Sequence, residues 1–391
     1  MTQALNQSEQ ARTPLVSVVM PCLNEEEAIG SCIEKIRRVF ESANIDGEII
    51  VCDNGSRDRS VAIAEAMGVR VVRQPLRGYG NAYLMGFENA NGTYLVMGDA
   101  DDTYDFALIP KFLELLRKGY DFVTGSRYLN GGDRAISPLH RHFGNPMLTA
   151  VLNGFFGLSY TDVYCGFRAF SREAYQRIRP VSQGMEFNLE LAINAGMAGL
   201  KTVEVPITLN QRKGTSKLRT FRDGWRSLRM MLLYCPNKVF LWPGSLLLSF
   251  GFLLHVAQLF GLLTWDGRPA AGVTGVFATI STVIGFQIVL LGLHAKTYSW
   301  SRRFDKENAA LEWLYDHFNL EAGLALGVGL FVLGGAIWAA LVLQWLKAQM
   351  LPLPNPELAS LGATLVLIGC GTVFSSLFIS AMSVEQKNGR R

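Results

Sequence analysis

The order of elements along residues 15–210 predicts an α/β domain on a mostly parallel sheet, and the region after it predicts an all-α bundle of four membrane helices. Three observations carry that prediction. Short apolar, β-branched runs alternate with helical runs through the first half of the chain. Acidic or amide groups stand at the ends of several of these runs. Beyond residue 235 lie four apolar runs, 239–263, 273–294, 321–346 and 360–382, with no internal Lys, Arg, Asp or Glu except Glu321 at the very start of the third. Each has the roughly 20 residues that a helix needs to cross a bilayer. In a soluble fold such helices would have no polar face to turn to water.

Val16 to Met20 reads as a buried strand ending at Pro21. Asn24 is positioned to cap the next helix, and Glu27 completes a capping box. That helix runs to about Ser42, with Ile29, Ile33, Ile36 and Phe40 on one face. Glu48 to Cys52 is a second strand, ending in Asp53-Asn54-Gly55-Ser56-Arg57-Asp58. A helix over 59–67 and a strand over 69–73 follow, the pattern of a doubly wound sheet, whose ligands bind at the carboxyl ends of the strands. Gly78 and Gly80 open the next helix, so their amides can approach an anion. Thr93 to Met97 is then a strand whose end carries Asp99, Asp101 and Asp102. Strand geometry puts Asp99 and Asp101 on one side. Two such carboxylates repel unless a cation lies between them, and oxygen ligands suit Mg²⁺ or Mn²⁺.

A helix over 108–117 and a strand over 122–124 lead to Arg127, whose guanidinium suits phosphate. A basic loop holds Arg134, His140, Arg141 and His142. The apolar helix over 145–158 fits a core helix or the lining of a lipid tail equally well. Gly184 to Glu190 opens a helix, and 203–209 is a strand running into Gln211-Arg212-Lys213-Gly214-Thr215-Ser216-Lys217. Residues 218–234 are amphipathic, with Arg219, Arg222, Arg226 and Arg229 at helical spacing, as a helix lying among lipid headgroups requires.

Charge gives the expected orientation. Basic residues crowd the segment before the first span, the link between spans two and three (Lys296, Arg302, Arg303, Lys306) and the tail (Lys387, Arg390, Arg391). The other two loops carry only Arg268 and Lys347. Both termini are therefore expected in the cytoplasm. The net charge of +4, concentrated at the membrane face, suits anionic lipid and argues against nucleic acid. Residues 1–14 lack an apolar signal core and read as a disordered tail. Six scattered cysteines give neither a disulfide framework nor a zinc spacing.

Four segments resemble the GT-A fold of family 2 glycosyltransferases: Val18-Val19-Met20-Pro21-Cys22-Leu23-Asn24-Glu25, Asp53-Asn54-Gly55-Ser56-x-Asp58, Arg77-Gly78-Tyr79-Gly80-Asn81-Ala82 and Asp99-Ala100-Asp101. The run from Gly98 to Phe106 looks most like the bacterial branch of polyprenyl-phosphate, often glucosyl, transferases of the dolichol-phosphate type. The resemblance covers about residues 15–235 and implies a donor site at Pro21, Asn24, Glu25, Asp53, Gly55, Ser56, Gly78 and Gly80. It makes Asp99 and Asp101 the family's Asp-x-Asp, Asp101 on the metal, with Thr103 where the family often has Gln and so the third candidate ligand. Asp162, in Asp162-Val163-Tyr164-Cys165-Gly166-Phe167-Arg168, falls on the acceptor side. Glu190 is a candidate for holding the sugar or removing a proton, and Asn188 replaces the family's usual Asp. The loop Arg212-x-x-x-Ser216-Lys217, with Arg127 and Arg141, is the expected acceptor-phosphate site.

These readings predict a metal-dependent, inverting transfer of one hexose from a nucleotide sugar, UDP-glucose first and GDP-mannose second, to a membrane polyprenyl phosphate. Expected domains are 15–210 catalytic, 211–236 interfacial, 237–384 spanning and 385–391 a tail, and a homo-oligomer is compatible with the spans. A processive polysaccharide synthase would carry Gln-x-x-Arg-Trp, which Gln211-Arg212-Lys213-Gly214-Thr215 lacks. A glycolipid glycosyltransferase is a further alternative. A non-catalytic scaffold would have no reason to keep the Asp-x-Asp.

Overall fold

Strands and helices alternate through the first half of the computed structural model, which describes residues 14–129, 144–213, 220–265, 268–269, 271–301, 320–347 and 355–389. The order is β1 (Val16–Cys22), α1 (Ile29–Ser42), β2 (Gly47–Asp53), α2 (Ser60–Ala66), β3 (Arg70–Arg73), α3 (Tyr79–Glu88) and β4 (Tyr94–Met97). Then come α4 (Ile109–Arg117), β5 (Phe122–Ser126), α5 (Asn145–Phe156), β6 (Arg168–Ser171), α6 (Arg172–Ile178), α7 (Phe187–Met197), β7 (Thr202–Pro206) and α8 (Thr220–Tyr234). The seven strands form one sheet in the order β3-β2-β1-β4-β6-β5-β7. All pairs are parallel except those of β6, which runs antiparallel to both β4 and β5.

Alternation along β1 explains the two faces. Val18 and Met20 point into one core with Ile29, Ile33, Ile36 and Phe40 of α1. Val19 points into the other, with Tyr83 and Phe87 of α3 and Phe187 and Leu191 of α7. Helices on both faces of a mostly parallel sheet, with one reversed strand, make this the GT-A fold. The sequence reading had no strand at β6, because Arg-Ala-Phe-Ser is short and opens with a charge. Arg168 is nevertheless 1 % exposed. Its guanidinium donates to the carbonyls of Val163, Cys165 and Asn188, so the charge is surrounded by backbone oxygen.

The expected capping box is not formed. Helix α1 begins at Ile29 behind Ala28, with no side-chain cap. Asn24 instead lies in the left-handed region at φ 51° and accepts a hydrogen bond from the Arg57 amide at 2.8 Å. Its side chain ties the β1 loop to the β2 loop. Strand β7 ends at Pro206, short of the expected 209, because its partner β5 ends opposite it at Ser126.

The chain divides into two compact units, Met1–Met230 and Met231–Arg391, a division that falls within α8. In the second, helices α9 (Trp242–Leu259), α10 (Ala271–Ser301), α11 (Leu320–Lys347) and α12 (Pro356–Gly389) carry the four candidate spans, 237–259, 272–297, 320–347 and 356–381. Small residues let the backbones approach. A Cβ on Gly251 of α9 would meet the Thr282 amide of α10 at 2.4 Å, and one on Gly369 of α12 would meet the Phe331 amide of α11 at 2.5 Å. Leu246, Phe250, Phe252, Phe331, Phe374 and Phe378 turn outward, the surface an integral membrane protein presents to lipid.

Candidate active site

The site is built at the carboxyl ends of β1, β2 and β4. Asp53 closes β2, and its carboxylate accepts from the amides of Ser56 at 3.0 Å and Gly55 at 3.3 Å, with Gly55 at φ 91°. Asn54 donates to the carbonyls of Gln74 and Leu76 and accepts from the Gly78 amide at 2.7 Å. The loop before α3 is thereby latched to β2. Gly78 and Gly80 are required there by contact. A Cβ on Gly78 would lie 2.2 Å from the Gln183 carbonyl oxygen, and one on Gly80 would lie 2.1 Å from that of Ser182. Their tight packing is against the 182–183 segment. Glu190, 1 % exposed, holds that segment by accepting from the amides of Val181 and Ser182. This is the geometry of a carboxylate fixing a loop, not of one aimed at a substrate proton.

Asp99 and Asp101 follow β4 as expected. Asp99 accepts hydroxyl bonds from Tyr79 at 3.0 Å and Tyr83 at 3.3 Å. Burial first, and the neighbouring Asp101 second, push its carboxyl up to about 7 against the opposing pull of the tyrosines. Tyr79 in turn accepts from Asn188 Nδ2 at 3.3 Å. Tyr104 accepts from the Gly166 amide at 3.0 Å. A Cβ on Gly166 would sit 2.8 Å from the Tyr79 hydroxyl, 2.9 Å from that of Tyr104 and 3.4 Å from Asp99 Oδ2. Local sequence gives these tyrosines no site role. The i, i+4 spacing of Tyr79 and Tyr83 on one helix face is the signal that would have found the first two.

Asp101 sits in a different environment. Its Oδ1 accepts from the Thr103 amide at 3.1 Å and the Thr103 hydroxyl at 2.6 Å. Its Oδ2 pairs with Arg212 at 2.9 Å, and the same guanidinium reaches Glu25 at 3.1 Å. Thr103 therefore orients Asp101, and Arg212 bridges the carboxylates of Asp101 and Glu25. Asp102, at φ 63°, bonds Lys35 and Lys213, each at 2.6 Å, and Ser31 at 3.1 Å. Burial works against its charge, but the bonds from Lys213, Lys35 and Ser31 outweigh it and hold the carboxyl below its ordinary value.

Arg127, expected on phosphate, is committed elsewhere. Its Nε and Nη2 donate to Asp162 at 2.6 and 2.8 Å, and its amide donates to the same carboxylate at 3.1 Å. Asp162 is fully buried, and Glu204 of β7 accepts from the Thr161 and Asp162 amides. The pair is a bidentate strut between the β5 end and the 161–166 loop. Arg141, Ser216 and Lys217 lie outside the described residues, as does the 1–13 tail. Pro21 lies within β1, on the strand that leads to Asn24 and Glu25.

The donor set fits a divalent metal. Two hard carboxylates stand together at a strand end, and one of them, Asp99, is held up in pKa by burial and by its neighbour, a penalty that a bound cation would reverse. Among the described residues no group of three or more His, Cys, Asp or Glu forms a closed cage. Mg²⁺ or Mn²⁺ on one or two carboxylates would need substrate phosphates to complete its shell.

The glycosyl transferase family 2 model matches residues 17–179, and the model of the family's C-terminal transmembrane region matches 293–383. The low-salt glycan biosynthesis hexosyltransferase Agl6 of Haloferax volcanii is 37 % identical over 94 % of this chain and 89 % of its own length. This chain belongs to glycosyltransferase family 2. The transferase is also 36 % identical to the dolichyl-phosphate hexose transferase of the same organism, over 54 % of this chain and 89 % of that one. It is 30 % identical to the undecaprenyl-phosphate 4-deoxy-4-formamido-L-arabinose transferase of Photorhabdus laumondii, over 71 % and 86 %. The first family match ends within the segment after α6, so Glu190, Arg212 and Lys213 of this transferase lie beyond it.

Proposed function

We propose that the protein transfers a single hexose, glucose from UDP-glucose as the leading assignment, to a polyprenyl phosphate, with inversion at the anomeric carbon. GDP-mannose is the second donor to test. The relatives named for dolichyl-phosphate and undecaprenyl-phosphate support the acceptor class, and the four candidate spans support a lipid acceptor. The observation that carries the reading is the commitment of Glu190 and Asp162 to protein partners. A sugar hydroxyl acceptor needs a base to take its proton. A phosphate monoester is already ionised near neutral pH, so positioning and charge compensation suffice.

In this reading Asn24, Asp53, Gly55 and Ser56 shape the donor's nucleoside end, and Asp99 and Asp101 hold Mg²⁺ or Mn²⁺. The metal, when bound, neutralises charge growing on the departing diphosphate. The tyrosines fix Asp99, and Thr103 fixes Asp101, so that neither carboxylate must reorganise during transfer. Arg222, Trp225, Arg226 and Arg229 are exposed along α8, the side chains an interfacial helix places among anionic headgroups. The positive-inside pattern supports cytoplasmic termini and a catalytic domain on the cytoplasmic leaflet, which we take to be that of a bacterial inner membrane.

The test is a transfer assay with the full-length protein in detergent, Mn²⁺ or Mg²⁺, a panel of nucleotide sugars, and undecaprenyl or dolichyl phosphate. The expected product is a polyprenyl-phosphate hexose whose anomeric configuration is opposite to the donor's. No transfer from any common nucleotide sugar to either lipid would sink the assignment.

A further inference from the structure

Arg212 holds the Asp101 oxygen on which the donor reading puts a metal. Asp101 Oδ1 already accepts both bonds from Thr103, so Oδ2 is the oxygen left for a cation. Arg212 Nη1 holds that oxygen at 2.9 Å, and its Nη2 holds Glu25 at 3.1 Å. The buried Nε of the same guanidinium has no hydrogen-bond partner among the described residues. The fork is thus incompletely satisfied where it sits, an arrangement that favours an anion offering more acceptors.

The backbone around Arg212 is fixed on both sides. The Asn210 amide donates to the Thr103 carbonyl at 2.8 Å, and the Lys213 amide to the Asp101 carbonyl at 3.3 Å. The Lys213 ammonium pairs with Asp102 at 2.6 Å. The strap 210–213 therefore follows the 101–103 turn closely, and only the Arg212 side chain need swing.

We propose that Arg212 is a positioning residue that exchanges partners when the donor loads: the nucleotide's diphosphate takes the guanidinium, and Asp101 Oδ2 passes to the divalent cation. The inference rests on the donor reading above. A guanidinium and a divalent ion cannot share one carboxylate oxygen without strong repulsion. Metal arriving alone must displace Arg212 with no new anion to receive it. Metal arriving with a diphosphate meets no such penalty, because two phosphate oxygens accept the planar guanidinium fork bidentately. Metal and nucleotide then strengthen each other's binding by the same factor, as linkage requires.

The experiment titrates Mn²⁺ into the full-length protein in detergent, following free Mn²⁺ by electron paramagnetic resonance, first alone and then with saturating UDP or GDP. In the native protein, Mn²⁺ is expected to bind at least about tenfold more tightly with nucleotide than without, the scale of one charge-assisted contact. Arg212→Gln is expected to tighten Mn²⁺ alone by about tenfold and to shrink the nucleotide's effect by a similar factor, leaving the share that comes from phosphate oxygens on the metal itself. Arg212→Lys keeps the charge but loses the fork, and falls between. A merely structural role would weaken metal binding in both variants, so the gain separates the two explanations. If both variants bind Mn²⁺ alone no more tightly than the native protein, the exchange is wrong while the donor reading stands. If the native protein binds neither UDP nor GDP, with or without Mn²⁺, both fall together.

Discussion

Asp99 and Asp101 lie two residues apart and face opposite worlds. Asp99 is enclosed by neutral donors, the hydroxyls of Tyr79 and Tyr83, in a wall completed by Tyr104 and Gly166. Asp101 and its neighbour Asp102 are surrounded by cations, Arg212, Lys35 and Lys213. On the tyrosine side the carboxyl is pushed up to about 7, whereas on the cation side Asp102 is held below its ordinary value. The difference teaches a division of labour. The tyrosine wall fixes geometry without neutralising charge, and the cation side supplies charge that can be rearranged. In the proposed reaction the rigid side aims the metal, and the mobile side adjusts as diphosphate charge arrives and leaves.

The comparison breaks most completely at Asp101. Asp101→Asn keeps a carbonyl oxygen for the Thr103 amide but removes the charge. Loss of turnover by about a thousandfold is expected, with nucleotide no longer tightening Mn²⁺ binding. A steady-state transfer assay beside a metal titration checks both, and retained turnover would show that Asp101 is not the metal's anchor. On the tyrosine side the largest effect is expected from Gly166→Ala. Its new methyl would press on the hydroxyls of the half-buried Tyr79 and the buried Tyr104 at 2.8 and 2.9 Å. Overpacking of this kind costs about 1–3 kcal/mol of stability. A fall in kcat of about a hundredfold with nucleotide affinity nearly unchanged is expected if Asp99's aim is what suffers.

Tyr79→Phe is the gentler version of the same test. It removes one of Asp99's two tyrosine bonds and leaves Asn188 Nδ2 without its acceptor. A stability loss of about 1 kcal/mol and a tenfold weaker Mn²⁺ affinity in the presence of nucleotide are expected. Thermal unfolding and the metal titration read the two separately. An unchanged metal affinity would confine Tyr79 to packing.

The contrast between these two sides was only half legible in the amino-acid sequence. The parallel strands, the helix faces of Ile29, Ile33, Ile36 and Phe40, and the four spans follow from periodicity, and the structure has them. The positions of Asp53, Asp99 and Asp101 at strand ends follow from local pattern for the same reason. Partners do not. Asn24 reads as a cap from its neighbours three residues on, but its bond is to Arg57, 33 positions away. Arg127 reads as a phosphate ligand, but the loop before β6 brings Asp162, 35 positions on, to the end of β5. Arg212 reads as an acceptor ligand because it belongs to a basic loop, whereas the strap lays it on Asp101 and Glu25. Strand β6 escaped because antiparallel insertion between β4 and β5 is a property of the completed sheet, not of Arg-Ala-Phe-Ser. Sequence gives residues their chemistry. Long-range pairing decides whether that chemistry faces a substrate or the protein.

The smallest expected effect sharpens the cation side. Lys35 pairs with Asp102 at 2.6 Å, yet its side chain is 39 % exposed, and Lys213 and Ser31 remain on the same carboxylate. Solvent screens such a pair, so Lys35→Ala is expected to lower stability by under about 1 kcal/mol and leave turnover within about twofold. The pH dependence gives the sign. Asp102's carboxyl is lower in the folded state than its ordinary 3.8. A depressed carboxyl contributes stability above its unfolded pKa and loses it as pH falls through the folded one. The difference between Lys35→Ala and the native protein should therefore be constant from pH 5 upward through neutrality and shrink only below about pH 4, as the carboxylate that Lys35 bonds takes up its proton. Chemical unfolding at a series of pH values measures it. A difference that grew in acid would mean that Lys35 acts on some group other than Asp102. A large loss of turnover at neutral pH would mean that this lysine, like Arg212, reaches the substrate's charge, and that the cation side has two moving parts where one is assigned.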